Sequence, residues 1–196
     1  MKIIACLLLF ILLVKYIESI NPNRTYVLVS NGRINQNGFY GFDIFDSKEK
    51  TSLYRLRVSS SDIDIAILVD YPAKNIMANL EGIWIEWKVN VTFSVYDCKL
   101  NKWTDGIITK YTCFLSYYYT VEYNNKQFIA KWKSLSSTAR LYSKNQDELL
   151  AEWRPRTLPL LSNRVKYDLK IYSDKLPDAI YFFLLLVMDQ RDLGDD

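Results

Sequence analysis

IWIEWKVNVTFSV, residues 83–95, is the stretch that indicates the fold most directly. Its odd positions are all apolar, whereas the even positions from Glu86 to Ser94 are charged or polar. A period of two puts alternate side chains on opposite faces of a β-strand, so the pattern predicts a strand with one buried and one wet face. Strands of this kind are typical of antiparallel sheets.

The same alternation recurs along the chain. Residues 111–123 predict a second long strand, with Cys113 on its apolar face. Turn-forming pairs such as Asn31-Gly32 and Asn124-Asn125 separate further runs at intervals of about eight to twelve residues. The further predicted strands are 26–30, 39–46, 52–58, 62–70, 128–133, 138–143 and 165–172. We therefore expect an all-β fold with little helix, either an antiparallel β-sandwich or a closed, barrel-like one.

Two segments depart from simple alternation. Residues 145–153 predict a short helix, in which Asn145 caps a turn or two before Arg154-Pro155 ends it. The run AIYFFLLLVM, residues 179–188, is too short to span a bilayer, and we interpret it as a central strand covered on both faces.

The amino terminus predicts export. Lys2 is followed by an apolar run, residues 3–14, that has the length of a signal-peptide core. We expect cleavage after Ser19, so that residues 1–19 are a signal peptide and 20–196 a single secreted β domain, or two small β lobes. A signal-anchor that stays in the membrane is the alternative, and it would need a longer apolar core.

Cysteines and sequons agree with an extracellular location. Removal of residues 1–19 would leave Cys98 and Cys113, and an even pair in an oxidising compartment predicts one disulfide between them. Asn23-Arg24-Thr25 and Asn90-Val91-Thr92 are N-glycosylation sequons, which makes the protein a candidate glycoprotein.

Catalytic signatures are scarce. The chain has no histidine, which removes the usual general base and the commonest zinc ligand. It also has no glycine-rich phosphate loop, so we expect no metal, no cofactor and no enzymatic activity. One enzymatic alternative stays open, in which Asp62 and Asp64, on the same strand face as Asp70, work as an acid–base pair or share a cation.

Aromatic residues suggest a binding surface. Most of them fall on apolar strand positions and are expected in the core. Trp84, Tyr96 and Tyr118 fall on the wetter faces and are the candidate ligand contacts. The formal net charge of +3 gives no electrostatic reason to expect nucleic acid as a partner.

One family resemblance covers about a third of the chain. The stretches Ser61–Ile67, Gly82–Trp87 and Trp103–Asp105 make residues 53–119 resemble the farnesoic acid O-methyltransferase-like domain of arthropods. The resemblance implies a β-sandwich module. It does not imply methyl transfer, because the sequence has no glycine-rich strand-to-helix loop of a parallel α/β sheet. The sequence departs from the family at residues 88–91, where the family has an Asp-Asn-Gly turn.

These observations favour a secreted, non-enzymatic recognition protein that binds an extracellular protein, a glycan or a small apolar ligand through strand faces and aromatic contacts. The alternative is a secreted effector, such as a venom or salivary toxin, that acts on membranes or on host proteins. The sequence assigns no oligomeric state.

Overall fold

The computed structural model describes residues 21–30, 39–59, 64–85, 88–97, 101–113, 116–133, 138–145, 147–156 and 165–189. Within these ranges the chain forms twelve β-strands and one α-helix. The strands are β1 (Arg24–Ser30), β2 (Phe39–Asp46), β3 (Ser52–Ser59), β4 (Asp64–Asp70), β5 (Ile76–Ile85), β6 (Lys88–Asp97), β7 (Lys102–Cys113), β8 (Ser116–Tyr123), β9 (Lys126–Lys133), β10 (Ala139–Ser143), β11 (Leu149–Arg156) and β12 (Lys166–Ile171). The helix, α1, spans Asp178–Met188.

The strands form a closed up-and-down barrel. Each strand pairs antiparallel with its neighbours in sequence, and β1 closes the barrel by pairing with β12 from Arg24 opposite Ile171 to Val29 opposite Lys166. Closure leaves no strand edge exposed for pairing with another chain. The predicted all-β, antiparallel fold with little helix is confirmed, and the barrel is the architecture observed.

Both long alternating runs contain a hairpin. Ile85 pairs with Lys88, so residues 83–95 belong to two strands, and Cys113 pairs with Ser116 in the same way. Two residues that pair across a hairpin point to the same face of the sheet. Each of these pairs joins an odd position to an even one. Odd positions therefore point inward in the strand after the turn and outward in the strand before it. Ile83 and Tyr111 are accordingly 46% and 58% exposed. The prediction of one strand for each run is therefore wrong. The sequence does not reveal the hairpins, because the alternation of apolar and polar residues continues through them.

Two predictions of secondary structure are wrong: most of the predicted helix is a strand, and the predicted central strand is a helix. Residues 149–156 form β11, whereas AIYFFLLLVM lies in α1. A short, uniformly apolar run does not distinguish a buried strand from a buried helix by periodicity. The width of the barrel explains why this run is a helix. Side chains alone fill the interior of an eight-stranded barrel, whereas a twelve-stranded barrel has a wider interior. A helix that is apolar on all sides fills that space.

The helix lies inside the barrel. Its residues 179–188 are all buried, and its rings contact strands on different sides of the lumen. Phe182 meets Tyr26 of β1 with ring centroids 5.3 Å apart, and Phe183 meets Phe93 of β6 at 6.5 Å. Burial of each large apolar side chain contributes about 1.5–3 kcal/mol, so the helix is a major part of the core.

A tyrosine–aspartate hydrogen bond holds each end of α1. Tyr26 Oη donates to Asp178 Oδ2 over 2.5 Å at the amino end, and Tyr167 Oη donates to Asp189 Oδ1 over 2.6 Å at the carboxyl end. Asp178 also complements the positive end of the helix dipole. Among the described residues, no helix has both the length and the apolarity that crossing a membrane requires.

Candidate functional site

A cavity of about 370 Å³ lies at the end of the barrel where α1 begins. The chain leaves β12 at Ile171, crosses this end and enters the lumen after Pro177, so the first turn of α1 forms the inner wall. We call this space the mouth cavity. Its lining is Arg24, Tyr54, Leu68, Met77, Val95, Tyr96, Asp97, Tyr123, Asn124, residues 174–179 and Phe182.

The inner part of the mouth cavity is apolar. Leu68 and Val95 come from inward positions of β4 and β6, and Phe182 comes from the first half of α1. The Phe182 ring is fixed between Tyr26 and Tyr54, at centroid distances of 5.3 and 5.7 Å. These side chains give a preformed apolar surface for a ligand.

The outer part of the mouth cavity is charged, and its charges are largely paired. The Arg24 guanidinium binds the carboxylates of Asp174 at 2.7 Å and Asp178 at 3.0 Å. Lys175 pairs with Glu148 on the neighbouring turn. Burial and the hydrogen bond to Asp178 raise the pKa of Tyr26, which keeps this hydroxyl protonated as a donor. A ligand therefore meets a rim with little uncompensated positive charge.

Two polar atoms of the lining have no hydrogen-bond partner among the described residues. They are Tyr123 Oη, on a side chain that is 4% exposed, and Arg24 Nε. Burial raises the pKa of Tyr123, although Thr104 and Asn124 lie near enough to offset part of this effect. A buried polar group without a partner costs about 1–3 kcal/mol.

The predicted ligand contacts do not come together. Tyr96 lines the mouth cavity, where its ring meets Trp103 at 5.8 Å and its hydroxyl bonds to Asn101. Tyr118 is the third residue of β8, near the barrel end opposite the mouth cavity, and it pairs with Tyr111 on β7. Trp84 pairs with Val89 at the other end of β5, and its side chain is outside the described part.

Sequence reasoning missed several residues of the mouth cavity. Tyr123 fits the pattern of a core tyrosine, which it also is, and nothing local signals that its hydroxyl lacks a partner. Phe182 belongs to the run that we interpreted as a strand. Arg24 was noticed only as the middle residue of a sequon. Their convergence depends on barrel closure and on the return of the chain into the lumen.

A second, open depression adjoins the mouth cavity. It has a volume of about 1210 Å³ and shares Tyr123, Asn124 and Lys175 with the mouth cavity. Its walls are polar, and they carry the carboxylates of Asp105, Glu122, Asp147 and Glu148 together with the ammonium groups of Lys126, Lys144 and Lys175. The hydrogen bond from Ser143 lowers the pKa of Asp147.

The candidate acid pair stays a prediction, because neither Asp62 nor the side chain of Asp64 belongs to the described part of the chain. Ala66 and Leu68 are buried, so the even face of β4 points inward rather than to solvent. Asp70 accepts hydrogen bonds from the backbone N–H and the side-chain amide of Asn75, at 2.6 and 3.1 Å, and so caps the β4–β5 turn. Asp64 lies at the opposite end of β4, and Asp62 is outside the described residues. Over the described ranges, no three metal-ligating side chains meet in one place.

The strand register places Asp97, the residue before Cys98, far from Cys113, and the predicted disulfide stays a prediction. Asp97, the residue before Cys98, pairs with Lys102 at the first residue of β7, whereas Cys113 is the last residue of that strand. At about 3.3 Å per residue, β7 separates its two ends by about 36 Å. A disulfide needs Cα atoms within about 7 Å, and one peptide step adds only about 3.8 Å. Cys98 itself lies outside the described residues.

Both predicted glycosylation sites are accessible. Asn23 precedes β1, and Asn90 lies on the outer face of β6; both side chains are exposed. Their occupancy stays a prediction. The predicted signal peptide, residues 1–19, lies outside the described residues.

Comparison with known proteins gives no relative. No family model, no curated protein and no solved structure matches this chain. The resemblance to the farnesoic acid O-methyltransferase-like domain stays a prediction, and the barrel differs from the sandwich that it implies.

Proposed function

We propose that this protein is a non-enzymatic binding protein that takes one small amphipathic ligand into the mouth cavity. The observation that carries the proposal is the preformed apolar inner wall that Leu68, Val95 and Phe182 give the cavity. The volume of about 370 Å³ is at the low end of the range of about 300–1,000 Å³ that is usual for ligand sites. A molecule with one or two rings or a short alkyl chain fits such a space.

The lining specifies the chemistry of the ligand. Its apolar part would pack against Leu68, Val95 and Phe182, and its polar part would lie at the rim, where Arg24 is paired with Asp174 and Asp178. Because two aspartates already neutralise Arg24, the site favours an uncharged acceptor such as a carbonyl over a carboxylate. The predicted contact Tyr96 belongs to this site as part of the wall.

Fluorescence titration tests the proposal. Prodan, a neutral naphthalene ketone whose emission shifts in apolar surroundings, is a suitable probe, and anilinonaphthalene sulfonate is its anionic counterpart. We expect saturable Prodan binding that Tyr123→Phe leaves unchanged, because the Tyr123 hydroxyl is buried from the cavity. Ala179→Leu should block binding by filling the cavity, since Ala179 lines it.

The controls separate binding from folding. Tyr123→Phe removes an unsatisfied hydroxyl, so its free energy of unfolding should equal or exceed that of the wild type. Tyr111→Phe makes the same chemical change at an exposed tyrosine and should not alter Prodan affinity. Equal Prodan affinity in wild type and Ala179→Leu would refute the mouth cavity as the ligand site.

The proposal places this function outside the cell. Its support is the apolar run at residues 3–14 and the two exposed sequons. Amino-terminal sequencing and mass spectrometry of material exported by a eukaryotic host would test it. Retention of Met1 in exported protein would contradict cleavage after Ser19.

A second candidate function is that of an effector that acts on membranes. Tyr71, Ile76 and Trp103 are exposed on the β4–β5 and β6–β7 turns, beside the mouth cavity. Aromatic and aliphatic side chains on turn tips can insert into a lipid surface. This candidate would be favoured if the wild-type protein causes dye leakage from phosphatidylcholine vesicles and the Trp103→Ser variant does not. Absence of leakage would favour the non-enzymatic binding protein.

A further inference from the structure

We propose that the outer face of β9–β12 carries a separate site for the sulfate groups of an acidic polysaccharide. The site consists of Lys131, Arg140, Arg154 and Lys170 around Glu152, and we call it the basic patch. It faces solvent on the barrel wall, whereas the mouth cavity opens at the barrel end, so neither site depends on the other.

The strand register assembles the basic patch. Lys131 pairs with Arg140, Arg140 with Glu152, and Glu152 with Lys170, so one row of side chains crosses four strands. Neighbouring strands lie about 4.8 Å apart, so Lys131, Arg140 and Lys170 fall within about 15 Å of barrel surface. Arg154 stands two residues from Glu152 on the same face of β11.

Glu152 holds the two arginines in place. It is 8% exposed and accepts from Arg140 Nε at 2.9 Å and from Arg154 Nη2 at 3.4 Å. One carboxylate shared by two guanidinium groups leaves a net positive charge, and the hydrogen bond that Arg140 donates to Glu152 raises the pKa of Arg140. The two arginine side chains remain 50% and 60% exposed, so their other N–H groups can reach a ligand. Arginines fixed in this way are suited to bidentate binding of a sulfate.

Two tyrosines give the basic patch an aromatic surface. Lys131 Nζ lies 5.8 Å from the ring centroid of Tyr118 and 5.7 Å from that of Tyr142. Tyr118, a predicted ligand contact, therefore lies at the border of the basic patch. Aromatic rings beside cations suit a ligand that combines apolar sugar faces with charged groups. Lys170 forms no ion pair with any residue that the structure describes.

The distribution of charge favours an anionic partner. Described side chains on the outer face of β9–β12 include six basic ones, namely Lys131, Arg140, Arg154, Arg156, Lys166 and Lys170. Three acidic groups lie against them, namely Glu152, Asp168 and Glu49. A convex wall with a few fixed cations fits discrete sulfate groups better than it fits a nucleic acid, which needs a continuous basic groove.

Isothermal titration with a heparin octasaccharide tests the basic patch. We expect binding that weakens with salt, and Arg154→Gln or Lys170→Gln should each reduce affinity about three- to tenfold at low salt. Each variant should also lower the slope of log affinity against log salt by about one. Lys74→Gln and Lys102→Gln remove the same charge from turns at the barrel end, so they are matched controls and should leave both quantities unchanged.

Three results would overturn the proposal. They are equal octasaccharide affinity in patch and control variants that melt at the wild-type temperature, equal affinity for a desulfated octasaccharide, and tighter binding of a single-stranded oligodeoxythymidine. Retention of Prodan binding in Arg154→Gln would show that its effect is confined to the basic patch.

Discussion

The hydroxyl of Tyr167 donates a 2.6 Å hydrogen bond to the carboxylate of Asp189 within the barrel. Tyr167 belongs to β12 and Asp189 directly follows the last residue of α1, so this bond ties the carboxyl end of the helix to the wall that surrounds it. Both side chains are buried. The bond also offsets an electrostatic cost, because a carboxylate at the carboxyl end of a helix faces the negative end of the helix dipole.

Loss of this bond should destabilise the barrel. Tyr167→Phe leaves a buried carboxylate with one donor fewer, and we expect the free energy of unfolding to fall by about 1.5–3 kcal/mol. Tyr111→Phe is the matched control at an exposed tyrosine and should change it by less than about 0.5 kcal/mol. Urea unfolding measures both. Equal stability of the two variants would mean that the bond does not anchor the helix.

The helix should act as part of the core. Phe183 is fully buried and contacts Phe93 across the lumen. Phe183→Ala should cost about 3–5 kcal/mol, because the rigid barrel wall cannot collapse into the space that the ring leaves. Thermal unfolding followed by circular dichroism would measure the loss. A cost below about 1 kcal/mol would place the helix outside the cooperative core.

Gly106 should tolerate no side chain. A Cβ atom there would lie 2.2 Å from Phe93 Cζ and 2.5 Å from the Glu122 carbonyl oxygen. Phe93 is itself packed against Tyr123 and Phe183, so it has little room to move. Gly106→Ala should therefore destabilise the protein by about 1–3 kcal/mol in urea unfolding. Wild-type stability would show that the β7–β8 wall can shift.

Glu49 should make the stability depend on acid pH. Hydrogen bonds from Lys166, and secondarily from Arg156, hold the pKa of Glu49 below its ordinary value. A group whose pKa is lower in the folded state stabilises the fold above its unfolded pKa, and this contribution disappears as the pH falls through the folded pKa. Glu49→Gln should thus be less stable than wild type at pH 7, by less than about 1 kcal/mol because the site is partly exposed.

The difference between the two proteins should vanish as the pH falls below the ordinary value of a glutamate, about 4.5. Glu81→Gln is the control, since Glu81 is exposed on β5 and forms no ion pair with a described residue. A Glu49→Gln effect that persists at pH 2.5 would show that the carboxylate charge is not its source.

Cys98 and Cys113 should both be reactive thiols after unfolding. The length of β7 keeps Cys113 far from Asp97, the neighbour of Cys98. Alkylation in denaturant without reductant, followed by mass spectrometry, should label Cys98 and Cys113 separately, and reductant should leave the melting temperature unchanged. A peptide in which the two residues are linked would contradict the register of β6 and β7.

Local pattern was enough to predict most of the barrel wall. The bounds of β2, 39–46, agree with the prediction, and the Asn124-Asn125 turn adopts positive φ at both residues, as a tight hairpin requires. Alternation was less informative at 85–88 and 113–116, where a hairpin reverses the chain without changing the spacing of apolar residues. Alternation with a period of two looks the same in both chain directions, so it does not reveal where the chain turns back.

The candidate sites depended on contacts that are distant in sequence. Tyr123 and Phe182 are 59 positions apart in the chain, yet they line one cavity. Lys131 and Lys170 become neighbours of Glu152 only through the order of the strands. Propensity and spacing describe a few residues at a time, so they predicted aromatic contacts but not which of them share a site.

The sequence by itself determined an antiparallel β protein with no histidine-based chemistry, because side-chain period and residue inventory are local properties. Only the tertiary structure decided that residues 179–188 are a helix and that 149–156 are a strand. The physical reason is the width of a twelve-stranded barrel, which needs an apolar element to fill it. An apolar run is compatible with either conformation until the space around it is fixed.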